Sequence, residues 1–352
     1  MFTKLYKKFM NQHLIIQRSH MNILISGGTG FIGYHLIRSL IQKGHTVTCI
    51  IRPSSNIEKL KCFDVQYVLS DEVKKGRVDF YQFDIVYHLA SIRHKWGTSW
   101  NEYIRSGQEY TEMLLKSSIG KITQFIFCSS VAVYGYTDKL PISESSEKNP
   151  HNLYGKMKLE CENLITSYNK KYDLPYTILR PSIVYGENDP QGMMTRLIKM
   201  IYDNSYRTIG NGYNRIQCVY IEDFVDIMEK IGTSLAPTND GFIVSYKYPI
   251  IINDLVKLIR NELHKKVILD IKIPILFARF SALIIEKAYQ VGIRLTGSEP
   301  IIAREKVDTM VKDVVYDISK IENVCGFLPE FSYERGIYRL IQTLIQENKW
   351  KV

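Results

Sequence analysis

Short apolar runs and longer amphipathic stretches alternate along the first half of the chain. Runs of strand type lie at residues 21–25, 46–51, 65–69, 84–91, 122–127 and 174–179. Apolar residues recur at helical spacing over residues 31–43, 100–115 and 152–172. Strands that alternate with helices predict an α/β fold, built on a doubly wound parallel sheet.

The pattern loosens beyond Gly186, where helical stretches and turns follow one another. Residues 193–202 and the segment after Val219 read as helices, residues 242–245 as a strand that returns to the main sheet, and the chain from Ile251 as mostly helical. We therefore expect a sheet domain over residues 21–185, to which residues 216–248 return. A smaller, mostly helical substrate domain should comprise residues 186–215 and 249–352.

A glycine-rich turn, Ser26-Gly27-Gly28-Thr29-Gly30-Phe31-Ile32-Gly33, joins the first strand to the first helix. Unpaired amides at a helix N-terminus and the helix dipole attract anions. In such a turn Gly27 permits the bend, Gly30 lets a pyrophosphate approach, and Gly33 lets the helix pack closely. An ordinary βα turn is the alternative. The strand before it and the helix after it favour a Rossmann dinucleotide site that includes Phe31 and Ile32.

The end of the second strand carries Arg52, where such folds meet the adenosine ribose. A cation there accepts a 2′-phosphate, so the cofactor is predicted to be NADP, with NAD possible; a solvated arginine is the alternative. Asp71, just beyond the third strand, and Leu89 and Ala90, at the end of the fourth, complete the predicted nucleotide contacts. His88, inside the fourth strand, is interpreted as a packed side chain.

Tyr154 and Lys158 lie one helical turn apart, downstream of the strand end that carries Ser129 and Ser130. A free phenol titrates near pH 10 and is a poor base at neutral pH, but a neighbouring ammonium favours its ionised form. A serine hydroxyl can hold a substrate oxygen beside it. This set suits hydride chemistry between an alcohol and a carbonyl, although a Tyr-x-x-x-Lys pair alone could be coincidence.

The net charge is +10, and no acidic residue precedes Glu58. No nucleic-acid motif accompanies this charge, so we expect a small-molecule substrate and no nucleic-acid partner. Six scattered cysteines indicate neither a metal site nor disulfides, which suits a cytoplasmic protein. Residues 273–293 are apolar but are interrupted by charges, so no stable membrane span is expected.

Residues 1–20 are basic, and a second methionine, Met21, stands directly before the first strand. Three interpretations fit this segment: a transit peptide, an amphipathic surface contact, or a start codon that has been assigned too early. We favour the last, and expect residues 1–20 to lie outside the fold.

Several motifs together resemble the extended short-chain dehydrogenases/reductases, within the NAD-dependent epimerase/dehydratase group. They are Gly27-x-x-Gly30-Phe31-Ile32-Gly33, His88-Leu89-Ala90, Ser129-Ser130-x-x-Val133-Tyr134-Gly135, Tyr154-x-x-x-Lys158, Arg180-Pro181-x-x-Val184-Tyr185-Gly186 and Tyr220-Ile221-Glu222-Asp223. The resemblance implies that Ser130, Tyr154 and Lys158 carry catalysis and that Lys158 also contacts the nicotinamide ribose. It further implies cofactor contacts at Ser129 and Pro181, and a possible homodimer.

Departures from the family pattern narrow the expected chemistry. Val131-Ala132 replaces the Asp-Glu pair of sugar 4,6-dehydratases, which argues against dehydration. Ser182 stands where nucleotide-sugar epimerases usually have Asn, and Ile216 where they place an arginine for the substrate pyrophosphate. Gly107 replaces the family's usual Asn.

Three segments instead resemble the reductase branch, which includes 3β-hydroxysteroid dehydrogenases and dihydroflavonol reductases. They are Arg52-Pro53-Ser54-Ser55-Asn56, Gly210-Asn211-Gly212-Tyr213-Asn214-Arg215 and the apolar stretch 275–285.

We therefore predict an NAD(P)-dependent oxidoreductase acting on a secondary alcohol or ketone. A nucleotide-sugar epimerase or sugar-keto reductase is the alternative, and a non-catalytic dinucleotide sensor a third. The intact Ser-Tyr-Lys set argues against the sensor. Residues 273–293 favour a substrate with an apolar body, unless that segment packs on the core or on a dimer partner.

Overall fold

A seven-stranded sheet forms the centre of the computed structural model, which describes residues 20–92, 97–233, 236–266, 271–290, 303–348 and 350. Numbered in chain order, its strands are β1 (Asn22–Ser26), β2 (Thr46–Ile51), β3 (Val65–Leu69), β4 (Ile85–His88), β5 (Gln124–Cys128), β6 (Tyr176–Pro181) and β11 (Asp240–Val244). Their order across the sheet is β3-β2-β1-β4-β5-β6-β11, and every neighbouring pair is parallel. The predicted doubly wound parallel sheet is confirmed.

Helices cover both faces of this sheet. They are α1 (Phe31–Gln42), α2 (Ser70–Lys74), α3 (Trp100–Tyr103), α4 (Tyr110–Ser118), α5 (Leu153–Tyr172) and α7 (Ile221–Thr233). Successive side chains of a strand point to opposite faces, so Ile23 and Ile25 join one apolar core with α1 and α7, while Leu24 joins a second core with α4 and α5. Both cores consist mainly of apolar side chains, as a sheet buried on two faces requires.

The remaining described elements are helical apart from short strand pairs. The strands are β7 (Ile183–Tyr185), β8 (Thr208–Ile209), β9 (Arg215–Ile216), β10 (Cys218–Tyr220), β12 (Ile250–Ile251) and β13 (Lys272–Ile273). The helices are α6 (Met193–Tyr202), α8 (Ile252–Glu262), α9 (Ile275–Gln290), α10 (Arg304–Val311), α11 (Ser319–Cys325) and α12 (Tyr333–Asn348). The helical C-terminal region was predicted; two-residue strands are too short to show a period of two in sequence. The division into two domains stays a prediction.

Two local features differ from the predicted elements. Residues 104–109 form a π-helical turn between α3 and α4, in the middle of the predicted helix. Asp71 lies in α2, a five-residue helix that is too short to show helical periodicity in the sequence. Both features border the carboxyl edge of the sheet, where the site lies.

Residues 1–19 of the predicted extension lie outside the described residues. His20, the last residue of that extension, contacts the sheet domain. Its ring hydrogen-bonds with the Gly44 carbonyl at 2.7 Å and the Thr46 hydroxyl at 3.1 Å. Within the described residues, no helix combines the length and apolar character needed to cross a membrane.

Candidate active site

The glycine turn lies at the carboxyl ends of β1 and β4, where the strand order reverses and a doubly wound fold binds its ligand. Gly27 has φ +80°, and a Cβ there would come within 2.6 Å of the Ala90 amide nitrogen. A Cβ on Gly33 would collide with the Gly27 carbonyl oxygen. The turn therefore needs glycine at both positions to lie against the end of β4 and to receive α1.

Helix α1 begins without a side-chain cap. Gly30 occupies the N-cap position, and the first turn contains no acidic residue. Amides of this turn are consequently available to an anion, and no carboxylate opposes it. This arrangement fits the pyrophosphate of a dinucleotide cofactor, with Gly27, Gly30, Phe31, Ile32 and Gly33 around it.

The other predicted nucleotide residues are spread along the same edge of the sheet. Leu89 and Ala90 lie beside the glycine turn, since their amides donate to the Ser26 carbonyl and hydroxyl at 3.0 and 3.5 Å. Arg52 is exposed at the end of β2, in a tight turn closed by Ser55. Asp71 is exposed at the end of β3, two strands away from Gly27. Of these, Leu89 and Ala90 contact β1 directly.

Helix α5 carries Tyr154 and Lys158 on one face. Its N-cap is Asn152, whose side-chain oxygen accepts a hydrogen bond from the Gly155 amide at 2.8 Å. Lys158 is only 3% exposed, and its Nζ donates to the Cys128 carbonyl at the end of β5, at 2.7 Å. The same nitrogen lies 5.9 Å from the centre of the Tyr154 ring. Burial lowers the pKa of Lys158 from its ordinary value.

Ser130 lies two residues after the end of β5 and is partly exposed. Its hydroxyl accepts a hydrogen bond from the Ala132 amide at 3.2 Å and starts a short 3₁₀ turn over Val131–Val133. Lys158 therefore connects the strand end that carries Ser130 to the helix that carries Tyr154. Ser129 and Pro181 are buried at the ends of β5 and β6, and the Ser129 hydroxyl is bonded within the protein.

A buried carboxylate that the sequence analysis did not single out anchors α5 to the sheet. Glu162 accepts two hydrogen bonds of 2.8 Å from the Arg180 guanidinium, one of 2.6 Å from Ser129 and one of 2.9 Å from Lys148. Burial alone would raise the pKa of Glu162, but Arg180, Lys148 and Ser129 together hold that pKa below its ordinary value. The sequence did carry a signal for Glu162, because it follows Tyr154 and Lys158 at intervals of one helical turn.

Helix α10 contacts the N-terminus of α5. Glu305 accepts a hydrogen bond of 2.6 Å from the side-chain nitrogen of Asn152. Thr309, one turn later, shares a 2.6 Å hydrogen bond with the Tyr136 hydroxyl, and the Tyr136 ring stacks on His151 with centroids 3.9 Å apart. Residues that follow Ser130 and precede Tyr154 are thus held by a helix more than 130 residues later in the chain.

Packing near the site accounts for two individual residues, Gly107 and His88. Gly107 lies in the π-helical turn against α5, and a Cβ there would collide with Met157. His88 is buried and hydrogen-bonded with Ser26 at 2.7 Å and Thr111 at 2.8 Å, and burial lowers its pKa to about 3. His88 is therefore the packed histidine that the sequence indicated, neutral at physiological pH.

Ser182, which departs from the family pattern, and Arg215, one position before the place where epimerases carry their arginine, are both engaged within the chain. The Ser182 hydroxyl is hydrogen-bonded with Ser245 at 2.7 Å. The Arg215 guanidinium binds the Asp313 carboxylate, with nitrogen–oxygen distances of 2.7 and 3.1 Å. Arg215 is thus an ion-pair partner at the surface, and a phosphate would have to compete with Asp313 for it.

Comparison with known families agrees with this geometry. A model of the NAD dependent epimerase/dehydratase family matches residues 23–242, and the chain belongs to that family. It is an enzyme of the extended short-chain dehydrogenase/reductase class, as the resemblance predicted. Its placement in the reductase branch stays a prediction.

Relatives match part of the chain at about 30% identity. The dTDP-D-glucose 4,6-dehydratase of Dictyostelium discoideum is 30% identical over 239 residues, which are 59% of this chain. The match covers 55% of that dehydratase, so the chain spans little more than half of its length. A putative UDP-glucose 4-epimerase of Methanocaldococcus jannaschii is 31% identical over 216 residues, 57% of this chain and 70% of that protein.

Solved structures share the fold over nearly the whole chain. UDP-glucuronic acid 4-epimerase from Bacillus cereus, in complex with NAD, has a TM-score of 0.73 at 24% identity, covering 94% of this chain and 99% of that one. UDP-glucose 4-epimerase from Thermotoga maritima, with UDP-glucose, has a TM-score of 0.73 at 22% identity, covering 93% and 100%.

Replacing Glu162 with glutamine should destabilise the protein by about 3 kcal/mol or more at pH 7, because the buried Arg180 charge loses its counter-charge. Since the folded-state pKa of Glu162 is depressed, its contribution is present above about pH 4.3 and is lost as the pH falls through the lower folded-state value. Urea unfolding at several pH values should therefore show the gap between wild type and variant narrowing in acid.

The exposed pair of Glu72 with Lys75 and Arg77 offers the control. Glu72→Gln should change the free energy of unfolding by no more than about 1 kcal/mol. A Glu162→Gln loss as small as that of Glu72→Gln would contradict the anchoring role.

Proposed function

We propose that this enzyme transfers a hydride between a nicotinamide cofactor and a secondary alcohol or ketone, using Ser130, Tyr154 and Lys158. The observation that carries the proposal is the buried ammonium of Lys158. It joins the carbonyl at the end of β5, two residues before Ser130, to the face of α5 that presents Tyr154. Burying an ammonium at such a place costs free energy unless its charge interacts with a partner.

Each side chain has a distinct task in this proposal. Tyr154 gives a proton to, or takes one from, the substrate oxygen. The Ser130 hydroxyl donates to that oxygen and holds it beside the phenol. The positive charge of Lys158 favours the ionised phenol and so assists proton transfer. The nicotinamide, when bound, supplies or accepts the hydride.

The finer proposal is net redox chemistry with NADP. Arg52 at the end of β2 supports a 2′-phosphate, and the engagement of Arg215 by Asp313 leaves it less available to a substrate pyrophosphate. A reductase must release its oxidised cofactor in every cycle. We infer a ketone substrate, consistent with the resemblance of residues 275–285 to the reductase branch. An apolar substrate body stays a prediction from the sequence, since four of the large apolar side chains of that stretch face solvent.

A second candidate is a nucleotide-sugar 4-epimerase or sugar-keto reductase. The names of the relatives favour it, since they include UDP-sugar epimerases and nucleotide-sugar dehydratases. An epimerase returns the hydride within one turnover and therefore retains its cofactor. The same three side chains would serve both reactions.

Replacing Tyr154 with phenylalanine should lower turnover by at least ~100-fold, because the acid/base group is removed, and should leave cofactor affinity nearly unchanged. Steady-state kinetics and cofactor titration measure the two quantities. Tyr172→Phe, at the far end of α5, is the matched control and should retain full activity. Full activity in Tyr154→Phe would refute the assignment.

Replacing Arg52 with alanine should weaken NADPH binding by about 1.5–3 kcal/mol, the range for hydrogen bonds to charged groups. NADH binding should barely change, because NADH has no 2′-phosphate. Calorimetry with both cofactors tests this, with Arg77→Ala as an exposed control outside the site. Equal losses for NADPH and NADH would exclude a phosphate contact at Arg52.

The two candidate reactions can be separated with the wild-type protein. We expect it to purify with little bound cofactor and to consume NADPH in a one-to-one ratio with a ketone substrate. Absorbance at the nicotinamide band follows the consumption directly. Tightly held NAD, together with interconversion of UDP-sugars and no cofactor consumption, would show that the epimerase candidate is correct.

A further inference from the structure

Helix α9 is apolar on two opposite faces. Its inner face packs Ala278 and Ala282 against Val307 of α10. Its outer face presents four large apolar side chains to solvent, which are Leu276 (80% exposed), Phe277 (63%), Phe280 (62%) and Ile284 (53%). At 100° per residue these four fall within one sector of about 100°, on the side opposite the two alanines.

Such a surface is unusual for a soluble protein. Single exposed apolar residues are common, but a contiguous stripe of two phenylalanines, a leucine and an isoleucine marks a site of interaction. We therefore expect these four residues, called here the outer stripe, to be covered by a binding partner.

Charges around the outer stripe are basic. Lys272, just before α9, and Lys287, one turn after Ile284, are exposed, and no ion pair of the described residues uses either. The acids of this helix pair are engaged by other residues, Glu305 by Asn152 of α5 and the other two within the pair. Glu286 binds Arg304, and Asp308 binds Arg279. Basic ends beside an apolar stripe complement an anionic surface, as does the net charge of +10.

The area of the outer stripe distinguishes a lipid surface from a second copy of the chain. Four such side chains offer on the order of 500 Å², given that one buried aromatic side chain covers about 150–250 Å². A stable dimer buries about 800 Å² on each partner. A lipid interface needs neither that area nor shape complementarity, only an apolar stripe flanked by cations.

We propose that the outer stripe of α9 docks the enzyme peripherally on an anionic lipid surface. Leu276, Phe277, Phe280 and Ile284 enter the boundary between headgroups and acyl chains, while Lys272 and Lys287 lie against the anionic headgroups. The helix lies in the plane of the surface and does not cross it. The proposal concerns location and is independent of the reaction that the site performs.

Flotation of the full chain with vesicles tests the proposal. The wild type should bind vesicles that contain phosphatidylglycerol at physiological salt and should bind pure phosphatidylcholine weakly. Leu276→Ser/Phe277→Ser/Phe280→Ser should lower the partition coefficient at least ~10-fold, because the buried apolar area is lost. Leu328→Ser is the matched control, since Leu328 is a leucine of equal exposure, 81%, outside α9. It should bind as the wild type does.

A charge variant and a fluorescence readout complete the test. Lys272→Gln/Lys287→Gln should lower binding to anionic vesicles roughly 10-fold without changing the weak binding to neutral ones. Phe280→Trp should shift its emission to shorter wavelength when anionic vesicles are added, whereas Leu328→Trp should not. This readout does not depend on the triple variant remaining folded.

Three results would overturn the proposal. In the first, the wild type does not bind anionic vesicles but forms a dimer, and the triple serine variant is a monomer. The partner of the outer stripe would then be a second copy of the chain. The second is loss of binding on removal of residues 1–20 but not in the triple variant, which would assign the contact to that basic segment. The third is equal binding of the triple variant and the wild type.

Discussion

The buried ion pair of Glu162 and Arg180 is the interaction on which the geometry of the candidate site depends. Removing two charges from water is costly, and the cost is offset here because every oxygen of Glu162 is hydrogen-bonded. The pair fixes α5 against the ends of β5 and β6. Once α5 is held at Glu162, Lys158, one turn earlier, reaches the carbonyl at the end of β5, and Tyr154 lies one turn further towards the start of the same helix. A buried apolar pair of similar volume would pack as well, but it would not set the rotation of α5 about its axis by directed hydrogen bonds.

A second set of contacts holds the opposite end of the same helix. Asn152 caps α5 with its oxygen and donates its side-chain nitrogen to Glu305 of α10. One amide side chain thus satisfies an otherwise unpaired backbone amide at the start of α5 and joins that helix to the C-terminal region. The position of Tyr154 therefore depends on two contacts of α5, with the sheet through Glu162 and with α10 through Asn152.

Much of the fold could be predicted because its information is local. β2 and β3 are apolar runs bounded by polar turns, and the structure gives them the predicted bounds. The glycine turn was predictable since this glycine spacing between a strand and a helix is itself a recognisable pattern, although the steric demand on Gly27 comes from Leu89 and Ala90 after β4. Glu162 was not found, because a glutamate on an amphipathic helix normally faces water, and its partner Arg180 becomes adjacent only when β6 enters the sheet. Glu305 could not be connected with Asn152, since 153 residues separate them. Residues 273–293 showed strong apolar character, but the sequence could not show that α9 would bury its alanines and expose its phenylalanines.

The arrangement of α9 and α10 relates these features to one another. Small side chains on the inner face, Ala278 and Ala282, let the two helices approach closely, so the large apolar residues of α9 are left on the outside. The helix that receives those alanines is the one that binds Asn152 through Glu305 and Tyr136 through Thr309. The helix pair α9 and α10 therefore lies between the outer stripe and the N-terminus of α5. The outer stripe and the helix that carries Tyr154, the proposed proton-transfer residue, are thus joined through the contacts of α10.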